Sequence, residues 1–302
     1  MSWLDAVPDP LRDLLAEAAS GATAPAMAFL NLALASGDPD GLATAIARAK
    51  MAAAAHGADP GVTAQLATLG ELAAPDGPGW AMIRRILDAV RHDLDATSID
   101  AIAGMFDRAA LLSPEASVAL YSLGEPERLA AATAEVVDRL ADWDLLGPDR
   151  DALDLGCGIG RFAAVLAPRL RSVTGIDVSE QMVREAWART AGLANVTIRR
   201  TAGRDLGDFC DAAFDLVLAA DSFPYLVQVG LAEAHVAEAA RVLRPGGDLV
   251  ILNYSYRNDP DADRAELARA AAGSGLVVRR EGTHDFRLWD APSFVLSKAQ
   301  VT

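Results

Sequence analysis

The segment Asp154-Leu155-Gly156-Cys157-Gly158-Ile159-Gly160 decides how this chain is read. It ends a short apolar run, Ala152–Leu155, and opens a helix-like stretch, Arg161–Pro168. Glycines at alternating positions let the backbone turn sharply and approach a ligand that side chains would exclude. In open α/β sheets, ligands bind at the carboxyl ends of strands where the strand order reverses. Asp154 places an anion beside that gap, which suits a cationic group better than a phosphate. A dinucleotide loop of the form G-x-G-x-x-G would need glycine at position 161, where this chain has Arg161. The spacing therefore favours a ligand carrying an ammonium and a ribose over one carrying two phosphates. A ribose partner follows about twenty residues on, where Asp177 closes the run Val173-Thr174-Gly175-Ile176-Asp177. Taken alone, an Asp there is equally a turn or capping residue, with Ser179 as a competing cap. In register with the glycine loop, the ribose reading prevails.

Outward from this loop, strand-like and helical runs alternate. Strands are expected at Asp151–Leu155, Ser172–Asp177, Val196–Thr201, Phe214–Ala219, Gly247–Asn253, Leu276–Glu281 and Ser293–Lys298. Helices are expected at Arg161–Pro168, Ser179–Thr190, Gly230–Val242 and Ala262–Gly273. Such alternation predicts a mostly parallel sheet covered by helices on both faces. No helix separates the last two strands, so they form a hairpin. The fold class is α/β, a seven-stranded mostly parallel sheet with an antiparallel last strand.

The first third reads differently. Ala-rich helices are expected over Leu4–Ala19, Ala26–Ala35, Gly41–Ala55, Val62–Ala73, Trp80–Leu94 and Ser98–Ala110, separated by Gly, Pro and Asp turn signals. A further helix, Glu125–Leu146, leads into the first strand. The division falls between Leu112 and Gly124. Residues 1–115 form an all-α N-terminal domain and residues 116–302 the ligand-binding domain.

Composition narrows the partners. The chain has 302 residues, 52% hydrophobic and 23% charged, a globular profile. No apolar run reaches the roughly 18–20 residues that cross a bilayer, so no membrane partner is expected. Residues 1–13 carry three acids and one Arg, unlike a signal or transit peptide. Cys157 and Cys210 are the two cysteines, which predicts no disulfide framework, no metal cluster and a reducing cytoplasm. The formal net charge of −15 disfavours nucleic acid as substrate. The arginine groups Arg199, Arg200 and Arg204, and Arg279 and Arg280, read as solvated strand ends.

Four segments occur in order: Leu153-Asp-Leu-Gly-Cys-Gly-Ile-Gly-Arg161, Gly175-Ile-Asp-Val-Ser179, Phe214-Asp-Leu-Val217 and Arg241-Val-Leu-Arg-Pro-Gly-Gly-Asp-Leu-Val250. Over roughly residues 120–298 the chain resembles the class I methyltransferases that use S-adenosylmethionine. The resemblance implies a Rossmann-like sheet, S-adenosylmethionine as cofactor and S-adenosylhomocysteine as product. It implies that Gly156, Cys157, Gly158 and Gly160 line the cofactor and that Asp154 orients the methionine ammonium. Asp177 would hold the ribose, and Val178 and Met182 would flank the adenine. Ala220 and Asp221 would face the transferred methyl. Tyr121 is the candidate for a lid residue, with plain packing as the alternative. Such enzymes often carry Asp after the third strand to meet the adenine amino group; that position is Ala202 here. Asp205, or backbone groups of Gly203 and Arg204, are the substitutes.

Sulfonium methyl transfer is an in-line displacement whose leaving group is a neutral thioether. Alignment and exclusion of water are the main requirements. A base is needed only for an acceptor that arrives protonated. His284, Tyr254 and Tyr225 are the candidate catalytic residues, and Tyr225, Tyr254, Tyr256 and Arg287 the candidate substrate contacts. One of Tyr254 and Tyr256 is expected to face the cleft. His235, in mid-helix, reads as a packing residue. The expected activity is methylation of a small molecule, with O or N favoured over C as the acceptor atom. The alternatives are an aminopropyl transferase on the same fold, a non-catalytic cofactor-binding regulator and, third, a nicotinamide-linked oxidoreductase. For the helical domain, a lid, a substrate clamp and a homodimer surface all stay open.

Overall fold

A computed structural model describes residues 3–90 and 97–300. Along the chain, helices run α1 Asp9–Ser20, α2 Pro25–Ser36, α3 Pro39–Ala55, α4 Pro60–Leu72, α5 Pro78–Val90, α6 Ile99–Leu112, α7 Pro114–Val118 and α8 Pro126–Asp142. Of the expected helix Trp80–Leu94, positions 91–94 lie outside the described residues. Four of these helices, α2 to α5, start one or two residues earlier than the periodicity predicts, because each opens on a proline, whereas α1 starts five residues later than expected, after a short 3-10 turn at Trp3–Ala6. At the first helical position the missing proline N–H would have had no partner, and the fixed φ is already helical.

The α/β part follows as β1 Asp151–Leu155, α9 Arg161–Leu166, β2 Ser172–Asp177, α10 Glu180–Arg189, β3 Val196–Arg200, β4 Phe214–Ala220, α11 Phe223–Gln228, α12 Ala232–Val242, β5 Leu243–Leu252, α13 Pro260–Gly273, β6 Leu276–His284 and β7 Pro292–Lys298. The seven strands form one sheet in the order β3-β2-β1-β4-β5-β7-β6. Strands β1 to β5 are parallel, and β7 runs antiparallel between β5 and β6. Helix α11 is absent from the sequence reading. Pro224 reads as a breaker, yet it stands within the first turn, where helices tolerate it.

The chain divides into two compact units. The helical unit comprises Met1–Asp88, Glu115–Ala132 and Phe286–Asp290; the sheet unit comprises Ala89–Pro114, Thr133–Asp285 and Ala291–Thr302. This interleaving differs from a single cut at 115, for two local reasons. Helix α6 joins the sheet unit because Asp107 caps α10: its Oδ1 accepts from Ser179 Oγ at 2.5 Å and from the Gln181 N–H at 2.9 Å. The segment 286–290 joins the helical unit because the Ala24 N–H donates to Arg287 O at 2.8 Å and Asn31 Nδ2 to Asp290 Oδ2 at 2.9 Å.

Within the helical unit, Leu15, Phe29, Leu32, Leu42, Ile46, Leu66, Leu69 and Ile83 are buried, and Phe29 meets Trp80 edge-on at 5.7 Å. In the sheet unit, Leu153, Val217, Leu249, Ile251 and Leu296 form the buried strand core, against Val236, Ala239 and Leu267 of the covering helices. The N-terminal strand ends are fastened by charge. Asp151 accepts from Arg171 and Arg244, and Arg244 also reaches Asp215. The hydrogen bond from Arg171 is the main reason the Asp151 carboxyl is held below the usual range. The opposite edge is left for chemistry. Strand order reverses between β1 and β4, so the loop leaving β1 stands at the switch point of the sheet.

Candidate functional site

The turn after β1 is built from backbone. Gly156 N–H and Cys157 N–H both donate to Ile176 O at 2.9 Å, folding the loop over the end of β2. Gly156 has φ +75, and a Cβ there would stand 2.5 Å from Ser222 Cβ. At Gly160, φ +74, a Cβ would meet Ala186 Cβ at 2.9 Å, so α10 packs directly against the loop. Cys157 is buried and its thiol is pushed upward in pKa by that burial.

Two buried carboxylates face this turn. Asp177 is 8% exposed; Oδ2 accepts the Gly158 N–H and Oδ1 the Ser179 N–H, both at 2.9 Å. Burial raises its pKa, and the backbone N–H groups pull it back down. Asp154 is 1% exposed, and its Oδ2 has no hydrogen-bond partner among the described residues. Burial pushes its pKa up to about 7; the nearby Arg161 lowers it and Asp177 raises it. A buried carboxylate oxygen left unpaired is costly unless a ligand satisfies it. A cation such as an α-ammonium meets that need, and a phosphate does not. The donor set therefore fits S-adenosylmethionine: Asp154 for the ammonium, Gly156–Gly160 for close backbone approach, Asp177 for the ribose.

Beyond Asp177, Val178 is half-buried and Met182 fully buried beneath the first turn of α10, where the Met182 N–H donates to Ser179 Oγ at 3.1 Å. Gly203, φ +69, would drive a Cβ to 2.5 Å from Val178 Cγ1. Arg204 and Asp205 are exposed, and Asp205 Oδ1 closes its own turn on the Gly207 N–H at 2.9 Å. That local bond gives Asp205 a structural use.

At the ends of β4 and β5 the site is made of side chains. Asp221 and Asn253 have φ of 62 and 66, conformations sparsely used by residues other than glycine. Asp221 Oδ1 accepts from Asn253 Nδ2 at 2.8 Å and from the Tyr256 hydroxyl at 2.9 Å. Tyr225 packs edge-on against Tyr256 at 5.8 Å and against Phe106 of α6 at 5.0 Å. Burial of the hydroxyls, although Tyr256 as a residue is 55% exposed, and then the Asp221 carboxylate raise the pKa of both tyrosines. Ala220 precedes Asp221, and Ser222 follows it, with Oγ donating to Leu155 O at 2.7 Å.

Other expectations land elsewhere. Tyr254 is 1% exposed, between Phe223 and Phe294, and its hydroxyl has no partner among the described residues. It is a core residue, and Tyr256 is the tyrosine at the site. His284 ends the outer strand β6, exposed, three strand positions from β4, about 14 Å at the usual inter-strand spacing. Its register partner on β7 is Pro292, whose carbonyl accepts the Asn253 N–H, so His284 stands two strands from Asn253. Tyr121 belongs to the helical unit, buried and stacked on Trp289 at 6.3 Å. Arg287 belongs to that unit too. His235 is buried against its own helix, with Nδ1 3.0 Å from Leu231 O. Sequence reasoning missed Phe106, Ser222 and Asn253. Asn253 carried a usable signal, a strand-terminal Asn able to adopt positive φ; Phe106 carried none, lying far off in sequence.

Among the described residues, no group of His, Cys, Asp and Glu is arranged to hold a metal, and no helix is long and apolar enough to cross a membrane. Residues 152–247 match a family model described as a methyltransferase domain. The chain is 32% identical over 130 residues to a 2-methyl-6-phytyl-1,4-hydroquinone methyltransferase of Synechocystis, covering 41% of this chain and 39% of that one. It is 38% identical over 106 residues to a demethylmenaquinone methyltransferase of Tropheryma whipplei, covering 35% and 42%. A 27-O-demethylrifamycin SV methyltransferase of Amycolatopsis mediterranei is 34% identical over 159 residues, covering 51% and 57%. The chain thus spans about two fifths of the length of the first two of these relatives. Glycine turn, paired carboxylates, strand order and domain match agree on residues 152–247, which form a methyltransferase domain of the class I, S-adenosylmethionine-dependent kind.

Proposed function

We propose that this chain is an enzyme that methylates a small-molecule acceptor, with oxygen and nitrogen favoured over carbon as the acceptor atom, and with S-adenosylmethionine as donor. The observation that carries the reading is the unpaired Oδ2 of buried Asp154 at the switch-point turn. Such an oxygen calls for a cation, and a dinucleotide brings none there. The relatives are named for a hydroquinone, a demethylmenaquinone and a rifamycin, which supports a small acceptor. The net charge of −15 weighs against a nucleic-acid substrate.

When bound, the cofactor supplies an electrophilic methyl on a sulfonium, so no acid is needed for the leaving group. The chain's own residues divide the remaining work. Asp154 and Asp177 hold the two ends of the donor that carry an ammonium and a ribose. Asp221, fixed by Asn253 and Tyr256, is our candidate for orienting the acceptor and receiving its proton. Phe106, Tyr225 and Tyr256 supply ring surface for an acceptor with a flat apolar body.

The test is incubation with methyl-labelled cofactor and a panel of phenols, hydroquinones and amines, read by mass spectrometry. Methylated product from at least one class is the expected result. Binding of S-adenosylhomocysteine with no transfer to any panel or metabolite-extract component would point to a regulator. Binding of NADH without S-adenosylhomocysteine would overturn the cofactor assignment.

A further inference from the structure

Helix α6 lies outside the residues that match the domain model, yet its side chains enter the cofactor half of the sheet unit. Ile99, Asp100 and Ala103 of α6, with Val178, Thr201 and Ala202 from the ends of β2 and β3, line a cavity of about 320 Å³. Val178 in its lining directly follows Asp177 in the chain. Ile99, Ala103 and Val178 make apolar walls. At Gly203 a Cβ would strike Val178 at 2.5 Å and Ile99 at 3.2 Å, so helix and loop approach as closely as bare backbone allows. Arg200 borders the cavity but is spoken for: its Nε donates to Val178 O at 3.1 Å and its guanidinium lies 3.8 Å from Glu180. Apolar walls with one polar edge suit a purine.

Among the described residues of that lining, the only carboxylate is Asp100. Ala202 offers a methyl, and Asp205 is engaged in its own turn with Gly207. The helix that carries Asp100 is tied to the ribose site itself. Asp107 Oδ1 accepts from Ser179 Oγ and the Gln181 N–H, the Ser179 N–H donates to Asp177, and Asp177 accepts from Gly158. Asp100 and Asp107 are seven residues apart, two helical turns, and therefore share one face of α6.

We propose that α6 completes the cofactor site. Asp100 accepts a hydrogen bond from the adenine amino group, and Asp107 is a positioning residue that fixes both the helix and the Asp177 loop. The inference rests on S-adenosylmethionine being the cofactor, and its test separates the two. Calorimetry is run with S-adenosylhomocysteine and with its hypoxanthine counterpart, in which a carbonyl replaces the amino group. The wild-type chain is expected to prefer the adenine form by about tenfold, the worth of one hydrogen bond to a charged group. Asp100→Ala brings the ratio toward one. Asp100→Asn raises affinity for the hypoxanthine form, because the amide can donate to the carbonyl. If Asp100 only stabilises the first turn of its helix, both ligands weaken together and the ratio stays at the wild-type value; that result overturns the proposal. Asp107→Ala is expected to weaken both ligands about fivefold at constant ratio, with Asp107→Asn restoring them, since Asn still accepts from Ser179. Wild-type affinity in Asp107→Ala would remove the positioning role. Failure of the wild-type chain to bind either ligand would bring down the cofactor assignment instead.

Discussion

The two halves of the site are built on opposite plans. At the ends of β1 and β2, backbone does most of the holding: three glycines at positive φ, N–H groups aimed at Ile176 O and Asp177, and two carboxylates out of solvent. At the ends of β4 and β5, side chains from three separate segments converge: Phe106, Tyr225, Asn253 and Tyr256 around Asp221. A backbone-built half tolerates little variation, because a Cβ at Gly156 or Gly160 collides with a neighbour. A half built of side chains can change acceptor by exchanging residues while the sheet stays the same. This is the physical reason one domain type serves many acceptors.

Substitutions in each half should therefore fail differently. The largest expected effect is at Asp177→Ala, which removes the proposed ribose acceptor and also frees the Gly158 and Ser179 N–H groups. S-adenosylhomocysteine should bind about a hundredfold more weakly by calorimetry. Gly156→Ala places a Cβ 2.5 Å from Ser222 at a φ that L-residues avoid. A loss of about 2–3 kcal/mol of stability is expected in urea unfolding. In the other half, Tyr256→Phe leaves the fold and the donor half untouched but frees one lone pair of Asp221. The turnover rate should fall about tenfold with S-adenosylhomocysteine affinity unchanged. The smallest effect separates the two tyrosines that alternate after β5. Tyr254→Phe deletes a buried hydroxyl with no partner and should be neutral or stabilising by about 1 kcal/mol in the same unfolding experiment, with full activity. Equal loss of activity in Tyr254→Phe and Tyr256→Phe would erase the distinction drawn here.

The same contrast explains what could be read from the residues alone. Asp154, the glycines and Asp177 form a compact pattern within and just after one βα unit, so their geometry follows from spacing. The strands were legible for a similar reason: Asp151–Leu155 and Ser172–Asp177 are buried apolar runs bounded by turn signals, and both match the observed bounds. Helix starts were misplaced wherever a proline opens the helix, as at Pro39 and Pro60, because a residue that breaks helix interiors favours their first turn. The half at the ends of β4 and β5 is only partly legible. Tyr225 and Tyr256 could be nominated from their positions after strands, but which of Tyr254 and Tyr256 turns inward depends on the left-handed residue Asn253 before them. Phe106 and Asp107 reach the site through tertiary packing of a helix that reads as part of a separate domain, and no local pattern announces that.

The pKa of Asp154 offers the most direct test of the central claim, that a buried unpaired carboxylate receives the donor's ammonium. With no ligand bound, Asp154 titrates near pH 7 because burial disfavours its charge. Its folded-state value lies above the unfolded one, so ionising it costs stability as pH rises from about 4 through 7. An ammonium beside it favours the ionised form. Below pH 7 binding must first remove a proton, and affinity should fall by about tenfold per pH unit. The measurement is S-adenosylhomocysteine affinity between about pH 6 and pH 8 for the wild-type chain and Asp154→Asn. The account expects wild-type affinity to rise about tenfold across that range, and the variant to bind far more weakly with no slope. A variant that binds as tightly as wild type, with the same pH dependence, would contradict it.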